Sequence, residues 1–263
     1  MRRGDRRGRT SSMMQSFDEL VAEGAAVPLE GWDFSWFEGR ATEERPPWGY
    51  ARLVGERMGA VASALDVETG GGEVLATVPR PPALLVATES WPPNVRVARD
   101  RLRPRGAHVV AVADAPTLPF VADAFELVVS RHPVVVLWDE IARVLRPGGT
   151  YLAQQIGAGT NRQLTEFMMG PQPVNQSRGP ERARARAEAA GLEVVDLRAC
   201  ALRVAFFDVG AVVHFLRKVH WTVPDFTPEK YEDRLRRLHE HIEGQGVFVS
   251  TAQRLLVEAR KPA

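Results

Sequence analysis

Residues 64–73 read Ala64-Leu65-Asp66-Val67-Glu68-Thr69-Gly70-Gly71-Gly72-Glu73. A short apolar stretch, an acid, a glycine turn and a helix-compatible start follow one another. That is the order of a strand feeding a ligand-binding turn. Glycines let the backbone turn sharply and let a ligand approach with no Cβ in the way. A dinucleotide fingerprint needs glycine three residues after Gly72, and that position is Leu75. No Gly-Lys-Ser/Thr follows, so a phosphate-binding P-loop is excluded as well.

Downstream of this segment, strand and helix patterns alternate. Strands are expected at 82–88, 108–112 and 125–130, with a helix over 94–103. A helix over 138–145 is stopped by Pro147-Gly148-Gly149, and a strand runs over 150–156. A helix over 181–190 closes at Gly191, and 192–204 reads as a strand or bent strand pair. An apolar helix covers 209–219. Thr227-Pro228 opens a further helix that Gly244 ends, and 246–260 is the final strand. Upstream, Ser16 caps a helix over 17–23, and another helix covers 50–63. Such alternation predicts an α/β protein with a mostly parallel sheet and helices on both faces.

Composition bounds the function. The chain has 263 residues, 44% of them hydrophobic and 25% charged, which suits a folded globular protein. The single cysteine, Cys200, excludes an internal disulfide and a cysteine-based zinc cage. No apolar run approaches the roughly 20 residues of a membrane helix. The basic N-terminus lacks the apolar segment of a secretory signal, so the cytoplasm is the expected compartment. The formal charge of +1 is a cancellation: residues 1–12 carry five arginines against Asp5, a net +4, leaving −3 over the rest. The basic tail is expected to be disordered, and an acidic body argues against a nucleic-acid clamp.

Asp66, Gly70 and Gly72 resemble motif I of the class I S-adenosylmethionine-dependent methyltransferases, D/E-x-G-x-G-x-G, in its type 11-like form. Glu68 stands at the first glycine position, and Gly71 is extra. Further segments match in order. Leu84-Leu85-Val86-Ala87-Thr88-Glu89 is a strand ending in an acid, followed by Pro92-Pro93-Asn94 at a helix start. Ala113-Asp114-Ala115 through Leu118-Pro119-Phe120 is similar to the G-D-A-x-x-L-P-F loop, and Glu140-Ile141-Ala142-Arg143-Val144-Leu145 through Gly149 is similar to E-h-x-R-V-L-K-P-G-G. The resemblance covers residues 61–156 and implies a Rossmann-like seven-stranded sheet. Residues 13–60 are then an N-terminal helical and aromatic cap. Residues 61–263 are the methyltransferase domain, with a helical insertion at 205–245 before the last strand.

The resemblance also implies S-adenosyl-L-methionine as cofactor, held by Asp66, Glu68, Thr69, Gly70, Gly72, Glu89, Ser90, Asp114 and Ala115. In it, Glu89 accepts from the ribose hydroxyls, Asp114 accepts from the adenine amino group and the Ala115 N–H donates to the ring. Methyl transfer needs alignment first and a base only where the acceptor must lose a proton early. His132, at the end of the fourth strand, is the candidate base by position, against a reading in which it only caps the strand or touches the cofactor. Trp36, Trp48, Tyr50, His214 and Trp221 are candidates for an aromatic acceptor pocket, against the reading that they pin the cap to the sheet. Arg40 is a candidate for the methionine carboxylate. No metal site is expected. The acceptor is expected to be a small molecule of natural-product type, methylated at oxygen or nitrogen. The alternatives are a ribosomal RNA methyltransferase and a non-catalytic cofactor-binding relative. No membrane partner is expected, and the protein is expected to be a monomer or homodimer.

Overall fold

A computed structural model describes residues 15–29, 34–113 and 117–263. The basic tail, Trp32, Asp114 and Ala115 lie outside the described residues. The chain opens with α1 (Phe17–Ala26), β1 (Ala41–Glu43), α2 (Tyr50–Met58), β2 (Ser63–Val67), α3 (Glu73–Ala76), β3 (Leu84–Glu89) and α4 (Pro92–Leu102). It continues through β4 (His108–Ala111), β5 (Phe125–Arg131), α5 (Trp138–Val144), β6 (Leu145–Ile156), α6 (Arg162–Met169) and α7 (Pro180–Ala189). It ends with β7 (Glu193–Phe206), α8 (Val209–Lys218), α9 (Glu232–Gln245) and β8 (Phe248–Arg260).

The strands form one sheet in the order β1-β7-β8-β6-β5-β2-β3-β4. The pairs β6–β5, β5–β2, β2–β3 and β3–β4 are parallel, whereas β8 runs antiparallel to both β6 and β7. Every residue of β2 is buried, as expected of an inner parallel strand covered on both faces. The expected seven strands become eight, because Ala41–Glu43 of the N-terminal segment pairs antiparallel with β7. Three residues are too few for a period-two pattern to show.

Other boundaries moved for identifiable reasons. Of the two readings of 192–204, a strand or a bent strand pair, the structure has the single strand, with a bulge between Val194 and Asp196. The helix expected from Thr227-Pro228 begins at Glu232, after a turn in which the Thr227 hydroxyl accepts from the Lys230 N–H. It runs past Gly244 and stops at Gly246, whose φ of 77° is the left-handed cap conformation. The helix expected over 50–63 ends at Met58, because the chain must extend into β2 by Ser63.

Helices cover both faces of the sheet, and α5 and α7 pack on one of them through Trp138, Ile141, Ala183 and Ala187. One apolar cluster joins Trp48, Tyr50, Val54 and Met58 of the α2 region to Leu85, Leu127 and Leu152 of the strands. A separate cluster joins α1, α8 and α9 to the far ends of β7 and β8 through Leu20, Val212, Leu216, Leu238 and Phe248. Helices α1 and α8 approach at Gly24 and Gly210, where a methyl group on either would meet the other helix's backbone. Ser16 caps α1 through a reciprocal pair of bonds with Glu19.

His214 on α8 is buried in this α1/α8 layer, its ring 5.0 Å from that of Phe37 and 5.1 Å from that of Trp36. Burial first, then Lys218 and Arg217, lower its pKa to about 4. The folded-state pKa lies below the unfolded one, so the stability it carries is present above about pH 6.5 and lost as pH falls toward 4. A His214→Phe variant keeps the ring contacts and removes that proton. Its thermal midpoint should fall less than that of the wild type between pH 6.5 and 4, measured by calorimetry; parallel curves would remove His214 from the acid transition.

Candidate functional site

The strand order changes direction between β2 and β5, and the crevice outside the C-terminal ends of these strands is where open α/β sheets bind ligands. Three non-glycine residues with left-handed backbones collect on this rim: Glu68 after β2 (φ 58°), His132 after β5 (φ 56°) and Asn161 beyond β6 (φ 53°). Each such residue costs roughly 1 kcal/mol or more, and strain of this kind concentrates at functional sites.

On the β2–β3 side, the turn is fastened to the end of β3. The Thr69 N–H donates to the Thr88 carbonyl at 2.9 Å, and the Glu68 N–H donates to the Thr88 hydroxyl at 3.3 Å. Gly72 has φ 77°, and a Cβ there would lie 2.8 Å from Leu102 of α4. The third glycine is therefore required by packing against α4 as well as by the turn. Glu89, only 6% exposed, ends β3. Its Oε1 accepts from the N–H groups of Ser90 and Trp91, both at 2.9 Å. Both bonds fall on one oxygen, so the second keeps its capacity to accept from a vicinal diol. Asp66 is buried below. Burial raises its pKa to about 7, with the nearby Glu89 carboxylate adding to the effect and Arg131 opposing it.

Glu68 keeps the left-handed backbone that a glycine would adopt, so the departure from the motif alters the side chain and not the path of the turn. Its Oε2 accepts from the Val134 N–H at 2.7 Å, tying the β2 turn to the loop after β5. The Glu89 carboxylate, with one oxygen fixed and one available, together with the glycine turn, fits an adenosyl cofactor. The Glu140–Arg143 pair anchors the loop that flanks this region. Glu140 accepts from the Leu118 N–H at 2.7 Å, and Arg143 donates to the carbonyls of Phe120 and Leu118. These two motif residues hold a loop.

On the β5–β6 side, the Trp48 Nε1–H donates to Gln154 Oε1 at 2.8 Å, and Gln154 Nε2 lies 2.9 Å from His132 Nε2. The His132 N–H donates to the Gln154 carbonyl at 2.7 Å. The Tyr50 hydroxyl donates to the Ser130 carbonyl at 2.7 Å. Burial, then Arg254 and Arg131, hold His132 well below the ordinary histidine range. Arg254 of β8 is buried and pairs with Glu43 of β1 at 2.6 Å.

The five candidate acceptor residues do not converge. Trp48 and Tyr50 are buried beside β5 and β6, next to His132. Trp36 and His214 pack together in the α1/α8 layer, and Trp221 is exposed against His220. Arg40 pairs with Glu23 at 2.7 Å and lies over the Trp36 ring at 4.4 Å, so it is fixed in that layer and does not serve the cleft. Ser90 is exposed at the mouth beside Trp91. Arg131, Arg254 and the pivotal role of Gln154 were missed. The sequence places Gln154 and Gln155 at the end of the fifth strand, where one side chain could reach the cleft, and nothing local marks the partners of Arg254. Among the described residues no cluster of potential ligands could hold a metal ion, and no helix is long and apolar enough to cross a membrane.

Residues 65–153 match the family model described as a methyltransferase domain. Among solved structures, a Bacillus halodurans protein described as a candidate methyltransferase is 21% identical, with a TM-score of 0.57, covering 80% of this chain and 98% of that one. The [4+2]-cyclase SpnF is 19% identical, with a TM-score of 0.51, covering 93% and 91%. Phosphoethanolamine N-methyltransferase 2 of Haemonchus contortus, solved with phosphomonomethylethanolamine and S-adenosylhomocysteine, is 17% identical, with a TM-score of 0.50, covering 82% of this chain and 53% of that one. Among curated proteins none matches by sequence.

Proposed function

We propose that the chain is a methyltransferase of the class I family, on the match of residues 65–153 to a methyltransferase domain. On that premise we propose that it transfers the methyl group of S-adenosylmethionine to oxygen or nitrogen of a small, natural-product-like molecule. The observation that carries the cofactor half is Glu89, buried at the end of β3 with one oxygen held by two backbone N–H groups. Bound S-adenosylmethionine supplies a methyl group already activated by the sulfonium. The remaining work of this chain is to bind, orient and exclude water.

Glu89 would accept from the ribose hydroxyls, and Asp66, Thr69, Gly70 and Gly72 would shape the turn beside them. Asp114 and Ala115 remain the proposed adenine contacts. Glu68 holds the β2 turn against the β5 loop, which keeps the two halves of the crevice in register. The small-molecule reading is supported by the acceptor side, which is built from Trp48, Gln154 and His132 with exposed Val134, Val135 and Trp91 near the mouth. Its buried Arg254 is paired with Glu43, so it is not available to a phosphate backbone.

Calorimetry with S-adenosylhomocysteine should show one site per chain; absence of binding would remove the methyl-transfer reading. Methyl transfer from labelled donor should then reach small phenols, carboxylic acids or amines. Transfer to ribosomal RNA, with affinity falling steeply as salt rises, would replace the small-molecule reading.

A further inference from the structure

We infer that Gln154 is a positioning residue that fixes the His132 ring as its Nδ1–H tautomer, so that this ring is a hydrogen-bond donor to the methyl acceptor and not a base. An indole N–H can only donate. The Gln154 atom that Trp48 Nε1–H meets at 2.8 Å is therefore the amide oxygen. The amide nitrogen must then face His132, at 2.9 Å from Nε2. An amide NH2 also only donates, so ring Nε2 must supply its lone pair and the ring proton must sit on Nδ1. The same glutamine accepts from the His132 backbone N–H at 2.7 Å, so one residue sets both the left-handed backbone and the ring.

The surroundings agree with a neutral ring. Burial disfavours a second proton, and so do Arg254, approaching from β8, and Arg131, preceding His132 on β5. Glu43 is engaged by Arg254, and Glu68 is held by the Val134 N–H two residues further along the loop. From the α2 side the Tyr50 hydroxyl is turned to the Ser130 carbonyl.

The consequence deepens the methyl-transfer reading and rests on it. An acceptor served by a donor beside Arg131 is one that arrives with an ionised or lone-pair oxygen, a carboxylate or phenolate. An alcohol, which needs its proton removed first, finds no base in this ring.

The test reads the ring directly and does not require turnover. Full-length protein labelled with 15N-histidine gives two-bond correlations that distinguish the tautomers, with the His132 signals identified by their loss in His132→Asn. The expected spectrum is neutral Nδ1–H from pH 8 down to 5. In Gln154→Glu the carboxylate accepts from Trp48 and from the ring, so the ring protonates at Nε2 and titrates at or above its ordinary value of about 6.5. Trp48→Phe frees the amide to turn over and gives a mixture of tautomers. A wild-type ring protonated at Nε2, or titrating near 6.5, overturns the inference even where a variant fails to fold. Binding of S-adenosylhomocysteine in the same samples reports separately on the methyl-transfer reading.

Discussion

Glu89→Gln should weaken S-adenosylhomocysteine binding by about 10- to 100-fold, corresponding to the roughly 1.5–3 kcal/mol of a charge-assisted hydrogen bond. The substitution preserves shape. The single oxygen of glutamine must stay with the Ser90 and Trp91 N–H groups, since turning it away would leave two backbone donors unsatisfied. The amide nitrogen then faces the side where the free carboxylate oxygen is proposed to accept from the ribose. Two donors meeting a diol can still find lone pairs, so the loss is partial and not complete. The thermal midpoint without ligand should move little. Isothermal calorimetry checks the first statement and differential scanning calorimetry the second. Unchanged affinity would take Glu89 out of the site.

Asp66→Asn is expected to act in the opposite direction on stability. Burial holds the Asp66 carboxyl at about 7 in the folded chain against an ordinary 3.8. The folded pKa is the higher one, so the protein is fully stable with respect to this group below about pH 4. It loses stability as pH rises through 7. The whole shift corresponds to an upper bound of about 4 kcal/mol, and solvent relaxation lowers what is realised to about 2 kcal/mol. Asparagine has no charge to bury. Its thermal midpoint at pH 8 should exceed that of the wild type by about 4–8 °C, with the gain shrinking toward pH 4. An equal gain at both pH values would mean that packing, and not ionisation, is responsible. Binding of S-adenosylhomocysteine should weaken in the same variant, because a destabilising carboxylate at the floor of the cleft is tolerated only where it serves the ligand.

The strand–turn–acid arrangement proposed to hold the cofactor was legible because its requirements are local. An apolar strand, an acid, a left-handed turn and a second acid at the next strand end are each written within a few residues, from Asp66 to Glu89. The alternation of elements then ordered the central strands, and Gly191 marked a real helix end. The acceptor half was not legible in the same way. Trp36, Trp48, Tyr50, His214 and Trp221 suggested one pocket, yet Trp48 faces β6 while Trp36 meets His214 edge-on in a different layer. Periodicity says that a side chain is inward; it does not say which of two cores receives it.

By itself, the sequence determined the α/β class, the strand–turn–acid geometry after β2 and β3 and the exclusion of P-loop and disulfide chemistry. These follow from backbone conformations and side-chain types that act over one turn or one strand. The tertiary structure alone decided that Ala41–Glu43 completes the sheet as an eighth strand, that Glu140 and Arg143 hold a loop, and that Trp48, from 106 residues away, orients Gln154 against His132. Each of these depends on a hydrogen bond between distant segments. Such a bond is set by how strands register and layers pack, and no local pattern encodes it.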